Sequence, residues 1–139
     1  MQSLRLEAAG RATELARDEL AALPDEHQVP DVGAVAAGRQ GRAARLRGVL
    51  GLVEVPPDAR FVHVESADGS FTANIPLEDA RAGGLVLYEL DGEPLPERFG
   101  GPFRLLFPDG DDCSVSVKFL GRIDVLAEPG SHTARCADD

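Results

Sequence analysis

Phe61-Val62-His63-Val64-Glu65-Ser66, then Ala67-Asp68-Gly69-Ser70, then Phe71-Thr72-Ala73-Asn74-Ile75 is an extended run, a tight turn and a returning run. Asp68-Gly69 supplies the left-handed backbone that a short hairpin turn requires, so the segment reads as a β-hairpin. Working downstream, Pro76 suits the first position of a helix, Glu78 and Asp79 complement its positive end, and Gly83-Gly84 stop it. Leu85 to Leu90 reads as the next strand, closed by Asp91-Gly92. Beyond the rigid Pro94-Leu95-Pro96 and the segment Gly100-Gly101-Pro102, Phe103 to Phe107 is a strand followed by a turn at Pro108-Asp109-Gly110. Ser116 to Phe119 and Ile123 to Leu126 complete the sheet, and the small polar residues from Glu128 to Asp139 predict a fraying end.

Upstream of the hairpin the signals compete. Leu4 and Leu6 alternate with Arg5 and Glu7, which predicts a strand ending near Gly10. Ala16, Leu20 and Leu23 share a helical face closed by Pro24, so Ser3 to Leu23 also fits one amphipathic helix. Gly10 in its middle favours a strand followed by a short helix around Arg17 to Leu23. From Pro24 to Gly48 periodicity is lost among Gly33, Gly38, Gly41, Arg39, Arg42, Arg45 and Arg47, and the stretch reads as a long loop. Such loops in compact domains usually serve a function or are disordered. Its arginines suit an anion, because guanidinium matches phosphate or carboxylate bidentately; the plainer alternative is a solvated loop offsetting an acidic domain.

A chain of 139 residues with 43% hydrophobic content can bury one core unaided. Residues 1–127 are expected to form a single domain and 128–139 a flexible tail. The formal net charge of -10 argues against a sequence-independent nucleic-acid surface, which needs clustered Lys and Arg. No apolar run approaches the roughly 20 residues that cross a bilayer, and Met1-Gln2-Ser3-Leu4-Arg5 does not begin a leader. The expectation is a soluble, cytoplasmic protein without membrane or nucleic-acid partners. Cys113 and Cys136 are too few for a disulfide framework and read as plain thiols. His27, His63 and His132 lack metal-ligand spacing. The carboxylate pairs Glu78-Asp79 and Asp111-Asp112 read as helix-start and turn residues, and neither a Gly-x-Ser-x-Gly elbow nor a Gly-x-Gly-x-x-Gly loop is present.

Five segments, taken in order, carry a family likeness: Ser66-Ala67-Asp68-Gly69, Ile75-Pro76-Leu77-Glu78-Asp79-Ala80, Tyr88-Glu89-Leu90-Asp91-Gly92-Glu93-Pro94-Leu95-Pro96, Gly100-Gly101-Pro102-Phe103-Arg104 and Ser116-Val117-Lys118-Phe119-Leu120. Together they resemble the molybdopterin-binding domain of the sulfite oxidase family, which also includes bacterial protein-methionine-sulfoxide reductase catalytic subunits. Any one segment is weak; five in the family's order are specific. Leu4-Arg5-Leu6, Asp18-Glu19-Leu20 to Leu23-Pro24 and Arg45-Leu46-Arg47-Gly48-Val49 fit more loosely, so the likeness runs from Leu4 to Val125. It implies an α+β fold, mostly strands in mixed sheets with two short helices.

The resemblance also implies a cofactor whose molybdenum is held by the pterin's dithiolene and one protein cysteine. A thiolate suits that role because it is soft and anionic, and no aliphatic side chain replaces it. The family's pattern puts Ala34 at the cysteine's place, with Gly33 in the neighbouring register, and no cysteine precedes Cys113. Further departures follow the same direction. Leu46 stands where the family has a tryptophan, Val49 to Val55 is shortened, and Phe99 replaces a His or Asn that bonds the pterin. What the resemblance retains is a set of cofactor-binding positions, Arg104, Lys118 and Ser116, which in the family contact the pterin or its phosphate. Their plainer reading is Arg104 paired with a carboxylate and Lys118 at a sheet edge.

Three functions follow, with no catalytic residue and no metal ligand assigned. The leading one is a molybdopterin-oxidoreductase-like domain without molybdenum catalysis, serving as a binding or interaction module and leaning away from an enzyme. Molybdopterin remains the cofactor that the family would supply, although none is expected. The second is an active molybdopterin-dependent oxidoreductase with an unusual ligand set that uses Cys113, placed between Arg104 and Lys118. The third is a binder of a phosphate- or nucleotide-like ligand in the old pterin cleft, aided by Arg39 or Arg42. The partner in each case is a small anionic or pterin-like molecule; no protein partner is named.

Overall fold

The computed structural model describes residues 3–8, 10–34, 41–97, 100–107 and 116–127. Its first strand, β1 (Leu4–Ala8), buries Leu4, Leu6 and Ala8 and turns Arg5 outward, the period-2 pattern of a half-buried strand. Gly10, at φ +77, turns the chain into β2 (Arg11–Leu15), antiparallel to β1. That turn is what defeats the competing single helix from Ser3: a left-handed glycine closes a hairpin and would break a helix. The helix α1 (Arg17–Ala21) follows, with Glu19 accepting from the main-chain N–H of Ala16 at 3.0 Å.

The stretch from Pro24 to Gly48 is more ordered than its sequence predicts. It contains β3 (Gln28–Val29), β4 (Arg42–Arg45), α2 (Leu46–Leu50) and two short 3-10 turns, Asp25–His27 and Val32–Ala34. The long-loop reading is corrected here: among the described residues α2 joins α1 and α3 (Leu77–Gly83), the two short helices expected. Two features concealed these elements. In β4 the core positions are alanines: Ala44 faces the main core and Ala43 a second one, so no large apolar residue marks the strand. In α2 a glycine, normally poor inside a helix, is required because a Cβ at Gly48 would meet Cγ of His27 at 2.6 Å.

The central hairpin forms as its sequence predicts, from β5 (Phe61–Ser66) and β6 (Thr72–Pro76), antiparallel with His63 opposite Asn74. The remaining strands are β7 (Leu85–Leu90), β8 (Glu93–Pro94), β9 (Arg104–Leu106), β10 (Ser116–Val117) and β11 (Leu120–Leu126). Two sheets result, ordered β2-β1-β11-β5-β6 and β10-β9-β7-β4-β3, with β8 paired to β7. Strands β1 and β11 run parallel, which makes the first sheet mixed.

Leu4, Leu6, Val62, Val64, Ala73, Ile75 and Ile123 from the first sheet join Ala44, Val86, Tyr88, Leu105 and Val117 from the second in one core. Leu20, Leu46, Val49, Leu50, Leu77 and Ala80 of the helices extend it. The second sheet is covered on its other face too, by a cluster of Val29, Val32, Ala43, Leu85, Leu87, Leu90, Leu95 and Leu106. Burial on both faces explains the apolar run Leu85-Val86-Leu87-Tyr88 of β7, which Glu89 interrupts. The outer face of the first sheet is instead polar, with Arg122 reaching both Glu7 and Asp124 at 2.9 Å. The turn expected at Pro108-Asp109-Gly110, Phe99, Cys113 and the tail 128–139 lie outside the described residues.

Candidate ligand-binding site

The site forms where the loop before β9 meets the turn between β10 and β11. Two consecutive glycines set it up for different reasons. A Cβ at Gly101 would collide with the main chain of Leu95, so only glycine lets the loop lie against that residue. Gly100, at φ +86, leaves room on its other side: a Cβ there would meet Cγ of Lys118 at 2.9 Å and Cδ of Arg104 at 3.2 Å. The stems of the two cations therefore converge on one glycine. The peptide Gly101–Pro102 is cis and leads directly into Phe103, a core residue.

Main-chain hydrogen bonds lock the two segments. Phe119 N–H donates to the Gly100 carbonyl at 2.7 Å, and Leu120 N–H donates to that of Phe103 at 2.8 Å. From the β5–β6 turn, Ala67 N–H donates to the Phe119 carbonyl at 2.6 Å. Close approach is again conditional on a glycine, because a Cβ at Gly121 would meet Cα of Ala67 at 2.6 Å.

The hairpin turn itself is held by Asp68. Its Oδ1 accepts from the Ser70 N–H at 3.0 Å and from the hydroxyls of Ser66 and Ser70, each at 2.7 Å. These donors, the Ser70 main chain first, pull the carboxyl down to about 2. Between turn and loop lies a cleft of about 270 Å³ lined by Ser66, Ser70, Phe71, Arg104, Lys118 and Phe119.

The structure thus brings Arg104 and Lys118 together at one cleft. Arg104 is half-buried and also engaged by the protein itself; Lys118 is exposed. Ser116 lies in β10, its backbone paired with Leu106, two residues before Lys118. Ser70, Phe71 and Phe119 were not recognised as lining residues from the sequence. Their motifs are visible, but the turn reaches Lys118 only because β5 pairs with the distant β11.

Ala34 occupies a different place, the end of the 3-10 turn Val32–Ala34. Val32 is buried there and its N–H donates to the Gly41 carbonyl at 2.9 Å, while the Gly33 N–H donates to Oδ1 of Asp31 at 3.0 Å. Pro30 and Asp31, just before this turn, line a polar hollow of about 440 Å³ with Gly41, Arg42, Glu89, Leu90, Asp91 and Gly92. Arg42 does not join Arg104 and Lys118, and the two hollows share no lining residue. Its Nε donates to the Tyr88 hydroxyl at 2.8 Å; that hydroxyl donates to Oε1 of Gln28 at 2.7 Å, and Nε2 of Gln28 donates to the Leu20 carbonyl at 2.9 Å. Burial pushes the Tyr88 phenol up, with Arg42 opposing. The expectation that Arg42 aids the cation pair is corrected: a buried phenol holds it elsewhere. Arg39 lies outside the described residues.

A family model described as "Oxidoreductase molybdopterin binding domain" matches residues 40–134, a span containing Arg104, Ser116 and Lys118 and beginning beyond Ala34. The chain belongs to this family. Sulfite oxidase from Arabidopsis thaliana is 36% identical over 115 residues, covering 70% of this chain and 29% of that protein. Mitochondrial sulfite oxidase from Macaca fascicularis is 41% identical over 70 residues, 48% of this chain and 13% of its relative. The nitrate reductase [NADPH] of Fusarium oxysporum is 33% identical over 81 residues, 53% of this chain and 9% of that enzyme. This chain therefore spans less than a third of these curated relatives. The crystal structure of the sulfane dehydrogenase SoxCD from Paracoccus pantotrophus superposes over 91% of this chain and 38% of that one, with a TM-score of 0.64 and 17% identity, and shares its fold. The α+β architecture expected from the resemblance is thereby shown.

Set against a molybdopterin, the described residues divide. Arg104 and Lys118, converging on Gly100, fit an anionic group. Val32, Gly33 and Ala34 offer no thiolate or other metal-binding side chain. Among the described residues no cluster of three or more His, Cys, Asp or Glu could hold a metal ion. Arg104 and Lys118 suit the anionic end of such a cofactor, while the Val32–Ala34 turn supplies no thiolate for its metal.

Proposed function

We propose that this molybdopterin-binding-family domain acts as a ligand-binding module that grips a phosphate-bearing molecule with Arg104 and Lys118 and does not carry out molybdenum–thiolate chemistry. One observation carries the reading: the loop glycine Gly100 gathers both cationic stems at one cleft, whereas the turn at Ala34 presents no donor. A guanidinium contributes two parallel N–H donors and an ammonium a compact charge, a pairing suited to a dianion. Ser66 and Ser70 also line the cleft, with their hydroxyls donated to Asp68 and the charged contacts left to Arg104 and Lys118. The acidity of the chain as a whole makes such a local cationic pair selective, because anions are not drawn to the rest of the surface.

The test is a thermal-shift and calorimetric titration with inorganic phosphate and ribose 5-phosphate. Saturable stabilisation that weakens at least about tenfold in Arg104→Ala and in Lys118→Ala supports the reading. Binding that is absent, or equal in the two variants and the unmodified chain, overturns it.

A further inference from the structure

We propose that Ser70 is a phosphorylation site that controls the Arg104–Lys118 cleft: a phosphoryl group on its Oγ occupies the clamp from within and closes it to free ligand. The proposal rests on the phosphate clamp just described and supplies its regulation.

Two serines line the cleft, and they differ in access. Ser66 is 6% exposed, and its hydroxyl oxygen accepts the Phe71 N–H at 3.1 Å while donating to Asp68. Ser70 is exposed, and it follows a turn glycine, Gly69, with open space on the side where a Cβ would stand. An exposed turn can enter the active site of a kinase, which a buried strand residue cannot.

Modification leaves the turn standing. Oδ1 of Asp68 takes three donors, the Ser70 N–H at 3.0 Å and the hydroxyls of Ser66 and Ser70 at 2.7 Å each. Esterifying Ser70 Oγ removes one of them, and the main-chain and Ser66 donors remain. The added charge also has a destination. Asp68 repels it from the turn, while Arg104 and Lys118 attract it from the other lining of the same cleft. A phosphoserine offers three strong acceptor oxygens, which suit a guanidinium and an ammonium together. Being tethered, it competes at an effective concentration of about millimolar, so free ligand is displaced.

The step is a phosphoryl transfer from a nucleoside triphosphate. A bond forms between Ser70 Oγ and the γ-phosphorus, the bond to the nucleoside diphosphate breaks, and the hydroxyl proton leaves to a base of the kinase. Hydrolysis by a phosphatase restores the hydroxyl.

The experiment compares the unmodified chain with the chain carrying genetically encoded phosphate on Ser70, each with and without Arg104→Ala. Affinity for ribose 5-phosphate and melting temperature are read before and after phosphatase treatment. The phosphorylated chain should bind ribose 5-phosphate at least about tenfold more weakly and melt about 2 °C or more higher. Phosphatase should reverse both changes, and Arg104→Ala should abolish the gain in melting temperature. Mass spectrometry of the chain recovered from its native cells should find phosphate on Ser70. Equal binding of ribose 5-phosphate by the two forms, a melting temperature lowered by the phosphate, or native chain without phosphate on Ser70 overturns the regulation and leaves the clamp standing. No binding of ribose 5-phosphate by the unmodified chain overturns both.

Discussion

Two hollows in this domain, each bordered by an arginine, have taken opposite courses. Around Gly100, Arg104 and Lys118 converge on an open cleft whose walls are serines and aromatic rings. Around Asp31, the arginine is Arg42, and its Nε is tied to a buried phenol that is in turn tied through Gln28 to the end of α1. One arginine lines a cleft with a second cation and the other anchors a fold. The lesson is that a guanidinium's role is set by the groups placed around it, a second cation in one hollow and a buried phenol in the other, and not by its presence in a loop rich in arginine.

The largest effect should come from breaking the scaffold of the first hollow. Gly101→Ala drives a Cβ into the Leu95 main chain and should cost about 3 kcal/mol or more, read as a lowered urea midpoint. If it leaves the midpoint unchanged, the close packing that positions Arg104 is not required. Next, Tyr88→Phe leaves Gln28 and Arg42 without their shared partner and should destabilise by about 1–3 kcal/mol while phosphate affinity stays the same. A loss of phosphate affinity in that variant would mean the two hollows act as one.

A smaller effect sharpens the contrast from the cleft side. Lys118→Ala should weaken phosphate binding about tenfold yet shift stability by less than about 1 kcal/mol, since Lys118 is exposed. The smallest effect concerns the turn beside the cleft. The Asp68 carboxyl is depressed from 3.8 to about 2, so its contribution to stability is full above 3.8 and disappears as pH falls through about 2. Asp68→Asn should therefore flatten the acid side of the melting curve in that window; an unchanged slope would show that the turn does not depend on the charged form.

Much of this was legible in the sequence because local chemistry and fold agree there. The hairpin around Asp68-Gly69, the turn at Asp91-Gly92 and the helix after Pro76 each have a residue whose backbone preference names its conformation. Arg104 and Lys118 were legible as a pair through the family's motif order. What escaped lies where burial is achieved without large apolar residues: Ala43 and Ala44 make β4 look like loop, and Gly48 makes α2 look interrupted until His27 is seen packed on it. The backbone conformation of Phe119 escaped for another reason. A positive φ at a phenylalanine arises from tertiary hydrogen bonds to Gly100, Ala67 and Phe103, and no local pattern announces it.

The central claim is that this domain keeps an anion clamp and not a molybdenum ligand. The most direct test is the molybdenum content of the chain, purified from a host that makes the cofactor, alongside its binding of ribose 5-phosphate. The account predicts molybdenum far below one atom per chain together with phosphate binding that depends on Arg104 and Lys118. One molybdenum retained per chain through purification would contradict it.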